Sequence, residues 1–250
     1  MNAPLTHAVE SVVRFGAGQR LIGIATPGNQ SGYVTDRPAV VIFNAGIVHR
    51  VGPFRLSVDL ARELAEAGFC VLRFDLSGLG ESDFRGGRLE AEERALLDAQ
   101  DAFRFMHEEF GTSAFVTAGL CSGAFNAFQV AVGDRRVRGL ISMDGVSFET
   151  GGFRRREVTR RLNYRFVRNA IKRRALGIRG YEASDPASQL TQGEFFQVDE
   201  NPDRVRRQLG ELVQRRVAMQ FVYTEGCDDF NGEAQFEEMF GPQPKELIEV

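Results

Sequence analysis

The order of apolar segments predicts an α/β fold, a mostly parallel sheet with helices on both faces. Three observations lead there. Short apolar runs alternate with segments whose apolar residues recur every three or four positions, and that alternation marks strand–helix–strand units. Loops rich in glycine and polar residues follow the apolar runs, at Asn44-Ala45-Gly46, Asp75-Leu76-Ser77-Gly78 and Gly119-Leu120-Cys121-Ser122-Gly123. They belong at the carboxyl ends of the strands, where such sheets place their sites. The chain has 250 residues, 43% of them hydrophobic and 26% charged. That suits a globular chain with one sizeable core and excludes a disordered or fibrous one.

The elements follow in order. Val9, Val12 and Val13, then Leu21, Ile22 and Ile24, flank Gly16-Ala17-Gly18 and predict an N-terminal β-hairpin. Ala39 to Phe43 is a continuous apolar run, as a buried parallel strand requires. Leu56, Leu60 and Leu64 have helical spacing ended by Gly68. Cys70 to Phe74 reads as a strand closing in Asp75. Leu96, Ala99, Phe103, Met106 and Phe110 define a helix, Phe115 to Ala118 a strand, Ala124 to Val132 a helix and Val137 to Met143 a strand. The pattern breaks over residues 151–180, which hold eleven Lys/Arg and one acid, Glu157. Val158, Leu162, Phe166 and Ala170 recur there at every fourth position, so a basic amphipathic helix or helix pair is expected. The sheet pattern resumes with a helix at Val205 to Val213 and a strand at Val217 to Tyr223. A short helix around Phe236 and Met239 and a strand at Leu247 to Val250 follow.

The formal net charge is −3, which gives no pull toward nucleic acid. The basic segment carries +10, so the rest of the chain carries −13. Cys70, Cys121 and Cys227 form no CxxC pair and no Cys/His cluster, so neither a disulfide framework nor a metal site is expected. No cofactor is implied. The N-terminus lacks a basic start followed by an apolar stretch. The uncharged run 111–133 contains four glycines and reads as strand, turn and buried helix rather than a transmembrane segment. A cytoplasmic protein of undetermined oligomeric state is the expectation.

Gly119-Leu120-Cys121-Ser122-Gly123 lies between a predicted strand and a predicted helix, the context of a nucleophile elbow. Small neighbours let strand and helix approach, and the next backbone N–H serves as an oxyanion donor, here that of Ser122. A central Ser122 would place Leu120 and Ala124 at the small positions, and Leu120 does not fit. Cys121 has glycine on both sides, Gly119 and Gly123. A thiol at a helix N-terminus is readily ionised. The competing reading is a buried structural cysteine in a glycine-rich turn.

Asp75-Leu76-Ser77-Gly78-Leu79-Gly80-Glu81-Ser82 resembles a D-x-x-G-x-G-x-S stretch, and Asn44-Ala45-Gly46-Ile47-Val48-His49 stands where an H-G-x-x-x-H segment is found. With the elbow, these motifs make the chain similar to the serine aminopeptidase-like (monoglyceride-lipase-like) group of the α/β-hydrolase superfamily. The resemblance implies an α/β-hydrolase core over 1–149 and 203–250 and an inserted basic helical cap over 150–202. It implies an ester or thioester substrate and a second oxyanion donor at the Gly46 N–H. There are two departures, Cys121 in place of serine (as in dienelactone-hydrolase-like members) and Asn44-Ala45 in place of His-Gly. Asp75 is expected to brace its loop rather than to act chemically.

The triad order for this fold places the acid after the 217–223 strand, where Asp228 and Asp229 are equal candidates ahead of Glu225. A solvated acidic loop is the alternative. The histidine belongs after the last strand, yet the three histidines are His7, His49 and His107. The chain is therefore expected to stop before its base, with natural loss of the base as the alternative. His49, beside the oxyanion loop, is the candidate substitute. The arginines and the aromatic residues Phe153, Tyr164 and Phe166 of the cap suit a substrate with apolar and anionic parts. An acyl carrier, an acyl-CoA or a lipid surface fits that description, and a solvated arginine-rich helix fits it as well. An acyltransferase or a non-catalytic binding protein on the same fold are the rival functions.

Overall fold

The computed structural model describes residues 9–28, 37–162, 201–224, 227 and 230–250. Its strands are β1 (Ser11–Phe15), β2 (Leu21–Thr26), β3 (Ala39–Ile42), β4 (Val71–Phe74), β5 (Phe115–Leu120), β6 (Val137–Met143), β7 (Ala218–Val222) and β8 (Ile248–Glu249). They form one sheet in the order β1-β2-β4-β3-β5-β6-β7-β8. β1, β2 and β4 pair antiparallel, and every pair from β4–β3 to β7–β8 is parallel. The hairpin turn runs through Gly16 at φ 76°, a left-handed geometry that costs glycine little.

The helices are α1 (Leu56–Glu66), α2 (Ala91–Phe110), α3 (Ser122–Gly133), α4 (Gly151–Leu162), α5 (Pro202–Gln214) and α6 (Ala234–Phe240). Alternation along the central strands sorts them onto two faces. In β3, Val40 and Ile42 join Val71 of β4 and Ala61 of α1 in one cluster. Ala39 and Val41, with Phe43 just beyond the strand, join Leu72 and Phe74 in a larger one. That larger cluster runs through Phe103 and Met106 of α2, Phe128 of α3, Leu209 of α5 and Phe236 of α6. Each fully buried large side chain contributes roughly 1.5–3 kcal/mol, and Phe103 stacks on Phe115 at 4.1 Å between ring centroids.

Two helices start earlier than their apolar spacing predicts. α2 begins at Ala91, where Glu92 and Glu93 occupy the first turn and complement the positive helix end. No apolar residue is needed there, so hydrophobic spacing does not see that turn. α3 begins at Ser122, directly after Cys121.

The expected cap insertion is described at its entry, α4, and from residue 201 onward; residues 163–200 lie outside the described residues. The expected apolar stripe differs from what α4 buries. Val158 is exposed and Phe153 is buried. Asn231 donates to the Phe153 carbonyl at 3.1 Å. Arg156 pairs with Glu238 of α6 at 2.6 Å, and Thr150 donates to the same carboxylate. Arg154 pairs with Glu149 at 3.1 Å. Thus two of the cap's arginines are matched by acids. Phe166, Ala170 and Tyr164 lie outside the described residues.

Candidate active site

Cys121 stands between β5 and α3 with φ 55° and ψ −122°, a backbone region sparsely populated for side-chain-bearing residues. It is exposed, whereas Cys70 is buried. The surrounding chain makes the strained turn possible. A Cβ at Gly119 would run into the carbonyl of Gly123, and a Cβ at Gly123 would run into the carbonyl of Asn44. Both glycines are therefore sites of close backbone approach. The turn is fixed from both sides. The Cys121 N–H donates to Met143 O at 2.8 Å, while its carbonyl accepts from the N–H groups of Ala124 and Phe125 at 3.0 and 3.1 Å.

Ser122 is the first residue of α3, so its N–H has no intrahelical acceptor. The Gly46 N–H is engaged. It donates to Ser122 Oγ at 2.7 Å, and Gly46 itself sits at φ 57°. The two expected oxyanion donors thus differ in state, because a carbonyl oxygen would have to take the place of the Ser122 hydroxyl at Gly46.

Asn44 is buried and ties the loop after β3 to the loop after β4. Its Nδ2 donates to Val48 O at 3.0 Å and to Asp75 Oδ1 at 3.2 Å, and its Oδ1 accepts from Leu76 N at 2.8 Å. Asp75 is fully buried. It accepts from the Arg50 backbone at 2.6 Å, from the Glu81 backbone at 3.2 Å and from the Arg50 guanidinium. A Cβ at Gly80 would strike its carboxyl group. These contacts occupy Asp75 in holding the loops together. Asn44 in place of a histidine acts in the same way.

Asp228, Asp229 and Glu225 lie outside the described residues. The described carboxylate nearest in register to Cys121 is Asp144, which sequence patterning did not single out. Leu120 aligns with Met143 across β5 and β6, and Met143 with Val222 across β6 and β7. Cys121 and Asp144 are therefore the first residues past adjacent strand ends, each with positive φ, 55° and 46°. The Asp144 carboxylate accepts from Thr224 N at 2.6 Å and Thr224 Oγ1 at 2.7 Å. The signal available in the sequence was its position directly after a predicted strand.

His49 is exposed on the loop after β3, and its carbonyl accepts from the Gly52 N–H at 2.9 Å. Among the described residues its ring has no hydrogen-bond partner. His107 lies near the end of α2, at the amino edge of β5, where its Nδ1 is 2.9 Å from Thr112 O. His107 is exposed, and that contact braces the turn into β5. His7 lies outside the described residues. Burial pushes the Tyr223 hydroxyl well above its ordinary range, and it donates to Val146 O at 2.7 Å. It is a neutral brace beneath the β7 loop.

A small pocket of about 90 Å³ opens beside the elbow, between the loop after β4, the first half of α2 and the start of α3. Ser122, Phe125, Leu76, Leu79, Phe84 and Arg94 are among the residues that line it. Among the described residues no group of three or more His, Cys, Asp or Glu side chains is placed to hold a metal ion. Nor is any described helix long and apolar enough to cross a membrane.

A model of the alpha/beta hydrolase fold matches residues 38–167. No curated protein sequence matches the chain. The structure is similar to that of the alpha/beta hydrolase GrgF from Penicillium sp. sh18, with 19% identity over 96% of this chain and 88% of the other and a TM-score of 0.54. It is also similar to DcsB in complex with its substrate analogue, with 16% identity over 93% and 87% of the two chains and a TM-score of 0.53. Ferulic acid-bound Est1E from Butyrivibrio proteoclasticus aligns over 50% of this chain and 49% of its own, with 18% identity and a TM-score of 0.43.

Proposed function

Because the chain belongs to the α/β-hydrolase family, we propose that it opens ester or thioester bonds with Cys121 as nucleophile. The observation that carries this reading is the backbone of Cys121. Its exposed thiol is held at φ 55° and ψ −122° between two glycines that no larger residue could replace. A strained, exposed residue at a strand–helix junction is costly, of order 1–3 kcal/mol, and persists where the surroundings enforce it.

The Cys121 thiolate attacks the acyl carbon, a C–S bond forms, and the carbonyl oxygen takes the negative charge. The Ser122 N–H receives that charge, joined by the Gly46 N–H once its bond to Ser122 Oγ is exchanged for one to substrate. Collapse breaks the bond to the alcohol or thiol, which leaves with the proton given up by Cys121. Water then releases the acid from the acyl-cysteine. Asp144 or one of Asp228 and Asp229 orients the base, and His49 is the described histidine on this edge of the sheet. A thiol needs less help from a base than a hydroxyl does. Acylation is accordingly expected to outrun deacylation, so the reaction shows a burst.

The test is intact-mass analysis after mixing with p-nitrophenyl and thioester acyl donors. One acyl group on Cys121 and a burst of leaving group are expected, both absent from Cys121→Ala. Full activity in Cys121→Ala would overturn the assignment. A loss of steady-state turnover of at least about tenfold in His49→Ala, with the burst kept, would identify the base; unchanged turnover would remove His49 from the mechanism.

A further inference from the structure

We infer that the loop between β3 and α1 docks on the surface of an anionic lipid bilayer, and that Phe54 is the residue that enters it. The inference goes beyond the chemistry proposed above and does not depend on it. Phe54 carries the argument. Its side chain is fully exposed, at 102%, and the backbone enforces that position. Phe54 and Arg55 stand at φ 50° and 67°, two consecutive residues in a left-handed region that side-chain-bearing residues avoid. The turn before them is closed by Arg55 N donating to Gly52 O at 3.3 Å. A Cβ at Gly52 would strike Ser57 Oγ, so the tight path is built into the loop. Such strain persists where the surroundings enforce it, and it clusters where ligands are held. Here it lifts an aromatic ring into water, with no internal contact in return.

A single exposed apolar side chain needs no explanation. Along the same stretch, however, Ile47 is 58% exposed, and Val48 and Leu56 are exposed as well. The charges of residues 47–56 are equally one-sided: two arginines and no acid. Arg50 is turned inward to Asp75 and Glu81. Arg55 is exposed, and among the described residues its guanidinium has no ion-pair partner.

Apolar side chains beside an unpaired cation suit a bilayer surface, where the first enter the acyl boundary and the second meets lipid phosphate. Two copies of the loop set face to face would instead bring like charges together. The position fits the same occupant. β3, β5 and β6 run parallel, so this loop, the elbow and the entry to α4 share one edge of the sheet. The Gly46 N–H bond to Ser122 Oγ joins the loop to the elbow directly. Past β6, α4 adds the exposed residues Arg155 and Val158. Docking of this kind is peripheral and reversible, and it brings the Cys121 edge to the lipid interface.

The chain holds no tryptophan, so Phe54→Trp places a single fluorescent reporter at the site. The whole chain carrying it is titrated with phosphatidylcholine vesicles, with and without phosphatidylglycerol. The emission is expected to be that of a solvated indole in buffer, to shift to the blue with the anionic vesicles, and to be quenched by brominated acyl chains. Cosedimentation with the same vesicles then compares variants. Phe54→Asn, a residue that tolerates the left-handed region and so keeps the loop, should lower binding about tenfold. Arg55→Gln should lower it about fivefold. An emission already blue in buffer, no shift with anionic vesicles, or vesicle binding that both variants retain would overturn the inference. So would a shift that follows protein concentration without lipid, which would assign the surface to a second copy of the chain. No acyl transfer enters these readouts, so they stand apart from the fate of the Cys121 assignment.

Discussion

At the scale of single residues, the site stores backbone strain that stability measurements can read. Cys121 holds a conformation that glycine adopts freely, while Gly123 holds one in which any Cβ collides with the Asn44 carbonyl. Opposite substitutions should therefore have opposite effects. Cys121→Gly is expected to raise the unfolding free energy by about 1 kcal/mol, the relieved strain exceeding the entropy cost of glycine. Gly123→Ala is expected to lower it by several kcal/mol through the forced separation of α3 from β3, about 1–3 kcal/mol being usual for overpacking and more where backbone is struck. Urea denaturation of both variants checks the pair, and a stability loss in Cys121→Gly would contradict the strained-elbow account. The tight turn between β5 and α3 was legible in the sequence because its demand is steric, and glycines at 119 and 123 satisfy it. The place of Asp144 beside Cys121 was not legible, because it depends on strand register, which no local pattern records.

At the scale of elements, periodicity foretold the strands and helices of the core because their burial is periodic. It failed on α4, where ion pairs do the anchoring and Val158 points to solvent. The hydrogen bonds from Arg156 and Thr150, against a small opposing effect of burial, hold the Glu238 carboxyl below its ordinary 4.5. A carboxylate with a lowered pKa stabilises the docked state fully above its ordinary pKa and loses that effect as pH falls through the lowered one. The hold of α4 on α6 is therefore expected to weaken in the acid range below about 4.5. Hydrogen-exchange protection of the α4 amides, corrected for intrinsic rates, measures it. Glu238→Gln should show the loosened level at neutral pH already and should flatten the acid response. An acid response unchanged in Glu238→Gln would assign the effect elsewhere.

At the scale of the whole molecule, one apolar cluster runs from the hairpin through α2, α3 and α5 to β8, and buried carboxylates fasten the loops above it. Asp98 joins the loop after β4 to α2 through Ser77 and Arg85. Asp98→Asn removes one of the two carboxylates that hold the Arg85 guanidinium, which keeps Asp101 at 2.5 Å, so the cost is expected to stay below the roughly 3–5 kcal/mol of a fully broken buried pair. The change should lower the urea midpoint without changing the slope, the sign of a fold that loosens as one unit. A shallower slope would show that the loop detaches by itself. The sequence's global numbers did not reveal this arrangement. A net charge of −3 conceals both the basic insertion and the acids that meet its first helix.

The shared register of β5, β6 and β7 has a consequence for how such a site can change. Neighbouring strands lie about 4.8 Å apart, and Leu120, Met143 and Val222 end level with one another. The sheet thus acts as a ruler whose divisions are strands. Replacing the residue at 121, 144 or 223 exchanges a chemical group at a preset spacing, whereas lengthening a loop beyond those positions leaves the divisions untouched. New substrates can be met by editing the loops, and the distances between reacting groups are inherited from the hydrogen-bond ladder beneath them.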